Sequence, residues 1–447
     1  MGGGRHWRGY LNDPSRSRPV SRVHVIGAGL AGLAAAAALA DKGWQVVLYE
    51  SAEHAGGRCR SYLDAELGVR VDNGNHLLLS GNQSALAYLR LIDGRGTFEE
   101  PREAAFPFVD LATGARWTLR PNGGTLPWWV LAPWRRVPGT ALRDYLAARR
   151  LRDAGAEATV ADCLDQNAVL YRRLWQPVAV AALNTAAEDG SARLFWQVLS
   201  ETLGRGAAAC QPLLPREGLS ESLVDPALAM LRAKGAEIRY GARLRALHFM
   251  HRRVFELDFD SGLVDIGADS VVLAVPGAVA ARLVPELAAP DDHAPIVNAH
   301  YRVAAPAGAP AFIGVVGGTA EWVFAKRDVV SVTVSAADHL VDRPAGELSD
   351  LLWRDVAAAL GFPAQPAPPP SRIVKERRAT FRATPAQLKK RPATQTRWNN
   401  LLLAGDYVDT GLPATIEGAI RSGLAAADLI ARHPVTRSPE RVRGARQ

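Results

Sequence analysis

Val23-His24-Val25-Ile26-Gly27-Ala28-Gly29-Leu30-Ala31-Gly32 decides the fold of this chain. The first four residues read as a short buried strand, G-x-G-x-x-G follows without a break, and an alanine-rich helix continues through about Asp41. Gly27 permits the tight turn, Gly29 lets the backbone approach a pyrophosphate, and Gly32 allows the helix to pack closely on the strand. The start of that helix offers phosphate unpaired N–H groups and the positive end of a dipole. A second apolar strand, Gln45–Tyr49, ends in Glu50, the acid expected about 20 positions on to receive a ribose diol. A glycine-rich turn before an ordinary helix is the weaker account once strand, turn, helix, strand and acid are taken together. The pattern predicts a Rossmann-like α/β unit for a dinucleotide and leaves NAD and FAD both open.

Near the other end of the chain a second strand–loop–helix junction appears. Residues 401–404 read as a strand that stops at Gly405-Asp406, and a helix begins near Ile416. Asp406 is placed to accept hydrogen bonds from a ribityl hydroxyl. Glu417-Gly418-Ala419 opens a helix whose dipole favours negative charge on a reduced isoalloxazine. A capped helix with a solvent-facing aspartate is the competing account. A ligand long enough to touch both ends of the chain is FAD.

Composition bounds the rest. A chain of 447 residues, 48% hydrophobic and 22% charged, suits two or three globular domains with a substantial core. The formal charge of +8 fits nucleic acid, anionic lipid or mere solubility. The arginines are dispersed and no zinc-finger, RNP or basic-helix pattern occurs, so nucleic acid is not expected, while lipid stays open. Residues 1–20 and 434–447 read as basic, flexible ends without the apolar run of a signal peptide. No uninterrupted stretch of about 18 apolar residues lies outside the alanine-rich segment, so no spanning helix is expected. Cys59, Cys163 and Cys210 have no paired spacing, which suits a reducing cytoplasm and argues against a structural metal or disulfide framework.

Nucleotide-type segments recur after long excursions, so the domains are expected to interleave. Residues 21–100, 207–285 and 395–433 read as one discontinuous FAD-binding domain, and 101–206 with 286–394 as an α+β substrate domain. In the middle block a helix over 219–233 precedes a strand at 236–240, an alternating run over 244–259, and a buried strand stopped by Pro276. The first excursion is mostly helical over 140–204. The second carries β-like runs at 296–303, 322–325 and 329–335, a helix over 346–360, and a proline-rich connector at 364–370.

His54-Ala55-Gly56-Gly57-Arg58 resembles the second glycine motif of the amine oxidase/phytoene desaturase flavoproteins, in which the glycines admit the diphosphate and the arginine sits near it. Many members carry arginine where this chain has His54. Four longer passages resemble one subfamily, the squalene-associated FAD-dependent desaturase-like proteins known as hydroxysqualene dehydroxylases of hopanoid biosynthesis. They are residues 72–82 (DNGNHLLLSGN), Ala182-Leu183-Asn184-Thr185, Leu214-Pro215-Arg216-Glu217-Gly218-Leu219, and residues 410–419 (TGLPATIEGA). The resemblance covers about residues 22–430. It implies an FAD contact set of Gly27, Gly29, Gly32, Glu50, Gly56, Gly57 and Arg58 from the first half, and Gly405, Asp406, Thr415, Ile416 and Glu417 from the second. Amine oxidases usually place a cage aromatic where this chain has Thr415, and a lysine in a substrate-domain strand, whereas residues 296–303 contain none. An amine substrate is therefore disfavoured.

The resemblance further implies reductive loss of the allylic hydroxyl of hydroxysqualene, giving squalene, with reduced FAD as electron donor. Hydroxide is a poor leaving group, so a proton donor or polarising hydrogen bond is expected to assist. The candidates are His76, Asn75 and Asp72, whose alternative is tying down a loop, and Asn184 and Thr185, whose alternative is helix capping or packing. Pro127-Trp128-Trp129-Val130-Leu131-Ala132-Pro133-Trp134-Arg135-Arg136 suits a membrane headgroup boundary through Trp128, Trp129 and Trp134, or else a core or substrate tunnel. The expected setting is cytoplasmic, at the inner face of the membrane if the tryptophans meet it, beside other squalene-pathway enzymes. The rivals are a carotenoid-type desaturase or isomerase and a noncatalytic flavin-binding partner of a squalene-producing complex.

Overall fold

The computed structural model describes residues 22–363 and 367–432. Both basic ends and part of the proline-rich connector lie outside these residues. Along the chain, β1 (Arg22–Ile26), α1 (Leu30–Asp41), β2 (Gln45–Tyr49) and α2 (Gln83–Leu91) come first. The first excursion supplies β3 (Phe106–Asp110), β4 (Arg116–Leu119), α3 (Gln176–Leu183) and α4 (Ala192–Glu201). Next come α5 (Asp225–Ala233), β5 (Glu237–Arg239), β6 (Leu244–Met250), β7 (Arg253–Phe259) and β8 (Ser270–Leu273). The second excursion holds β9 (His293–Arg302), β10 (Phe312–Val316), β11 (Trp322–Lys326), β12 (Val329–Val334), α6 (Ala345–Leu360) and β13 (Ser371–Phe381). The chain closes on β14 (Leu401–Leu403) and α7 (Ile416–Arg432).

Five parallel strands in the order β5-β2-β1-β8-β14 form the nucleotide-type sheet. The near-continuous apolar runs of β2, β1, β8 and β14 suit strands covered on both faces, while the edge strand β5, Glu-Ile-Arg, is largely exposed. Helix α1 is buried on almost every side, which its alanine-rich sequence allows. Its far side meets α7 so closely that a Cβ on Gly423 would stand 2.1 Å from the Ala31 carbonyl oxygen. The first and last helices among the described residues are therefore in direct contact.

A seven-stranded sheet, β13-β9-β12-β11-β10-β3-β4, forms the second layer, antiparallel except where β10 runs alongside β3. Side chains alternate between its faces. Val297, Ala299, Tyr301, Val330 and Val332 pack under α6 against Leu348, Leu352 and Trp353. Each large apolar side chain so buried is worth about 1.5–3 kcal/mol. The residues between them, including Asn298, His300, Ser331 and Thr333, fall on the opposite face, toward the loop at 73–75. Phe108 and Trp117 lie stacked at one edge of this sheet, with Trp322 edge-on to Phe108.

One local reading changes. Residues 244–259 are not one run: the chain doubles back between β6 and β7 at His251 and Arg252, whose φ values of 45° and 61° make a two-residue hairpin turn. Neither residue is the Gly or Asn that usually marks such a turn. Strand β13 joins the sheet edge although its sequence, SRIVKERRATF, carries charges on most central positions. An edge strand leaves one side to solvent and tolerates them.

Candidate active site

The two glycine motifs meet at the start of α1. Gly56 N–H donates to the Ala28 carbonyl at 2.8 Å, and Gly29 and Gly56 form a parallel bridge. Gly27, at φ +105°, would place a Cβ 2.4 Å from the Ala274 oxygen, and a Cβ on Gly32 would lie 1.9 Å from the Gly27 oxygen, so both positions exclude a side chain. Gly29 differs: nothing lies within 4 Å of its Cβ position, and no side chain caps the helix that it begins. Gly57 closes the other side at φ +58°. An open wedge bounded by backbone at an uncapped helix start fits the diphosphate of a dinucleotide. The Glu50 carboxylate is fixed beside it, accepting from Ala28 N–H at 2.8 Å and Ala52 N–H at 2.9 Å. Its Oε1 also accepts from Ser51 Oγ at 3.2 Å, so Oε2 is the oxygen that keeps a lone pair for a ribose hydroxyl.

Arg58 and Asp406 join the opening and closing signatures by an ion pair at 2.8 Å. The Asp406 carboxylate is therefore shared with a guanidinium, and the charge of Arg58 is favoured mainly by that partner. Sequence reasoning missed the residue that shapes this loop. Arg391 is fully enclosed, lies over the Phe381 ring, and donates to the carbonyls of Asp406, Tyr407, Val408 and Leu412. Burial lowers its pKa, opposed by Asp409 and Asp406. In the sequence it closes Lys389-Lys390-Arg391, which reads as a solvated charge run. Gly405 is held by the Ser422 hydroxyl at 2.8 Å, and Thr415 accepts from Gly418 N–H at 3.1 Å, beginning α7. Thr415 and Ile416 are partly accessible.

Glu417 requires correction. Its buried carboxylate is committed within the protein: it accepts from Ser84 N–H at 3.0 Å and Ala85 N–H at 2.8 Å and pairs with Arg421. Helix α2 has no side-chain cap of its own, and Glu417 supplies one from a distance. Asn184 and Thr185 are likewise committed to scaffold. Asn184 ends α3 at φ 46°, donates to Thr380 Oγ1 at 2.9 Å and Ala294 O at 3.2 Å, and accepts from Ala336 N–H at 2.7 Å. Thr185 accepts from Ala383 N–H at 2.8 Å and donates to Leu183 O at 3.1 Å. The capping or packing account is the one their geometry supports, since no donor of either side chain is left for a substrate.

The loop at 72–76 is different. Asp72 is buried, accepting from Ser61 Oγ at 2.6 Å and Leu219 N–H at 2.9 Å, and pairs with Lys326 Nζ at 3.2 Å. Strand β9 contains no lysine, yet β11 ends in one that reaches this loop. Asn75 donates to Thr333 Oγ1 at 3.2 Å, and Thr333 donates to Asn298 at 2.7 Å. His76 lines a hollow of the molecule and its side chain is exposed there. Among the described residues its ring makes no hydrogen bond. Desolvation lowers its pKa, Asp72 opposes this, and Arg58 adds to it. The hollow measures about 420 Å³ and is lined by Asp72, Asn75, His76, His300, Phe324 and Lys326 among others. His300 is buried, shares a hydrogen bond with Ser331 at 2.8 Å, and has its pKa lowered by burial to about 4. Its Nε2 is buried without a partner among the described residues, and its ring lines the hollow alongside His76.

The tryptophan segment divides. Trp129 is buried edge-on to Tyr145 at 5.3 Å, so it offers nothing to a membrane, because its ring fills the core. Trp128 and Trp134 are 52% and 85% exposed, beside Leu126 at 79% and Leu131 at 61%. Among the described residues no helix is long and apolar enough to cross a membrane.

Comparison with known proteins places this geometry. The family model described as flavin containing amine oxidoreductase matches residues 30–431. A hydroxysqualene dehydroxylase of Rhodopseudomonas palustris is 48% identical over 91% of this chain and 98% of its own length. A hydroxysqualene dehydroxylase of Zymomonas mobilis is 45% identical over 93% of the chain and 100% of its own. Among solved structures, a putrescine oxidase redesigned in its cofactor binding superposes with a TM-score of 0.66 at 18% identity, covering 93% of this chain and 100% of that one, a likeness of fold.

Proposed function

The chain belongs to the flavin containing amine oxidoreductase family, and from that premise we propose that it removes the allylic hydroxyl of hydroxysqualene reductively, giving squalene, with FAD as its flavin. The observation that carries this reading is the end-to-end likeness to hydroxysqualene dehydroxylases. Thr415 in place of a cage aromatic supports it. The diphosphate-sized wedge at Gly29 and Gly56, far in sequence from the Asp406 loop that Arg58 ties to it, supports FAD over a mononucleotide.

When bound and reduced, flavin supplies the hydride that replaces the hydroxyl. His76 donates to the departing oxygen, since its ring faces the hollow and no protein group occupies it. Asn75, braced by Thr333, holds the loop that carries His76. Phe324, which lines the hollow with His76, offers an electron-rich face to positive charge developing on the allyl group. The deciding experiment is anaerobic incubation of purified, chemically reduced protein with hydroxysqualene, followed by product analysis. Squalene is expected. No squalene, with conversion of phytoene when an electron acceptor is added, would transfer the assignment to a carotenoid desaturase.

An isoprenoid of this kind resides in a membrane, and Leu126, Trp128, Leu131 and Trp134 form an apolar ridge facing outward on the rim of the tryptophan segment. Arg135 lies over the Trp128 ring at 4.8 Å, a pairing suited to the anionic headgroup boundary. The ridge therefore docks on the bilayer surface. Liposome flotation tests this: binding to anionic vesicles is expected for the wild type and weaker binding for Trp134→Ala, whereas no wild-type binding sinks it.

A further inference from the structure

Removing a hydroxyl inside an apolar chamber produces water and consumes a proton, and both must cross the protein. The allylic C–O bond breaks, a C–H bond forms with the hydride and its two electrons, and the leaving oxygen takes one proton and departs as water. The hollow beside His76 is the polar opening at this site. Its lining includes His76, Asn75 and Phe324 together with the exposed residues Arg216, Glu217, Arg327 and Asp328, the last two in the β11–β12 turn. The Lys326–Asp72 pair lines it as well.

We propose that this hollow is a port through which the proton enters and the product water leaves, and that Lys326 is a positioning residue that sets the protonation of His76 through Asp72. The inference rests on the dehydroxylase reading. Asp72 is held rigidly, because one oxygen already accepts from Ser61 and Leu219, and its other oxygen takes the Lys326 ammonium. Lys326 also reaches the Glu217 carbonyl at 3.4 Å, so it spans from the buried carboxylate to the rim. Its side chain is 34% exposed and that of Asp72 7%, the gradient expected of a group that joins solvent to the interior.

The charges around His76 act in opposed directions. From its own loop Asp72 favours the imidazolium; Arg58 disfavours it, and so does desolvation. From the sheet come Lys326, which offsets Asp72, and His300, which is neutral. Arg70, Arg216, Glu217, Arg327 and Asp328 stand at the rim in contact with solvent, where screening weakens them. Removing the Lys326 ammonium leaves Asp72 uncompensated, so the imidazolium gains and His76 holds its proton to higher pH. A step that needs protonated His76 is fastest on the acid side and fades as pH rises through its pKa. In Lys326→Met that fade moves to higher pH.

The test uses flavin-loaded protein. NMR titration of the His76 ring, assigned with His76→Gln, is expected to move upward in Lys326→Met and to stay near wild type in Lys326→Arg. The pH profile of single-turnover squalene formation is expected to move the same way. An unmoved titration and profile in Lys326→Met, while the wild type still forms squalene, overturns the port and leaves the dehydroxylase reading standing. Failure of the wild type to form squalene at any pH overturns that reading, and the port with it.

Discussion

The nucleotide wedge and the hollow at His76 are built from different materials. The wedge is backbone: two glycine turns, an uncapped helix start and a carboxylate held by two amides. The hollow is side chain, assembled from residues 69–76, 214–217, 311 and the strands β9, β11 and β12. A backbone site depends on φ, ψ and close approach, which a few glycines at fixed spacing can specify locally. A side-chain site depends on which strands become neighbours, and no local spacing encodes that.

The largest test of this contrast lies within the wedge. Gly32→Val forces a side chain against the Gly27 oxygen, so α1 leaves β1 and the protein is expected to lose both fold and flavin. Gly29→Ala meets no protein atom, so circular dichroism is expected to match wild type while flavin absorbance of the purified protein falls. Full flavin retention in Gly29→Ala would break the assignment of the wedge. Next in size, His76→Ala is expected to keep fold and flavin and lose about 10²–10⁴-fold in turnover, the usual contribution of a general acid. Normal turnover would return His76 to the role of loop anchor.

Smaller effects sharpen the same line. Arg391→Met leaves several buried carbonyls of the 406–412 loop without their donor, and thermal or denaturant unfolding is expected to show a loss of about 2–4 kcal/mol, with weakened flavin retention. A stability change without any effect on flavin retention would detach that loop from the cofactor. Asn184→Ala removes a helix-end residue with three hydrogen bonds and is expected to cost about 1–3 kcal/mol, measured in denaturant, with turnover per bound flavin unchanged. A selective loss of turnover would restore its catalytic candidacy.

How much was legible follows from the same distinction. Strand β1, helix α1, strand β2 and Glu50 stand where the opening motif predicts them, because turn chemistry and apolar runs are local. Strand β14 and helix α7 are equally plain. The Lys326–Asp72 pair was hidden, since it depends on β11 lying close to a loop more than 200 residues earlier in the chain. Glu417 matched a flavin motif, but its carboxylate serves α2, a partner that only the tertiary fold supplies. Trp128, Trp129 and Trp134 have one composition and two fates, because a short 3₁₀ turn sends neighbouring side chains to opposite sides.

The central sheet has a consequence for biosynthesis. Its middle strand β1 emerges first from the ribosome, and its edge strand β14 almost last, with α7 behind it to cover α1. Nearly the whole chain must therefore be synthesised before α1 loses its exposed face, and such long-range closure is slow. Until then that alanine-rich surface is bare, so nascent chains depend on late residues for their solubility. Truncations that remove only α7 are thus expected to harm the oldest part of the fold.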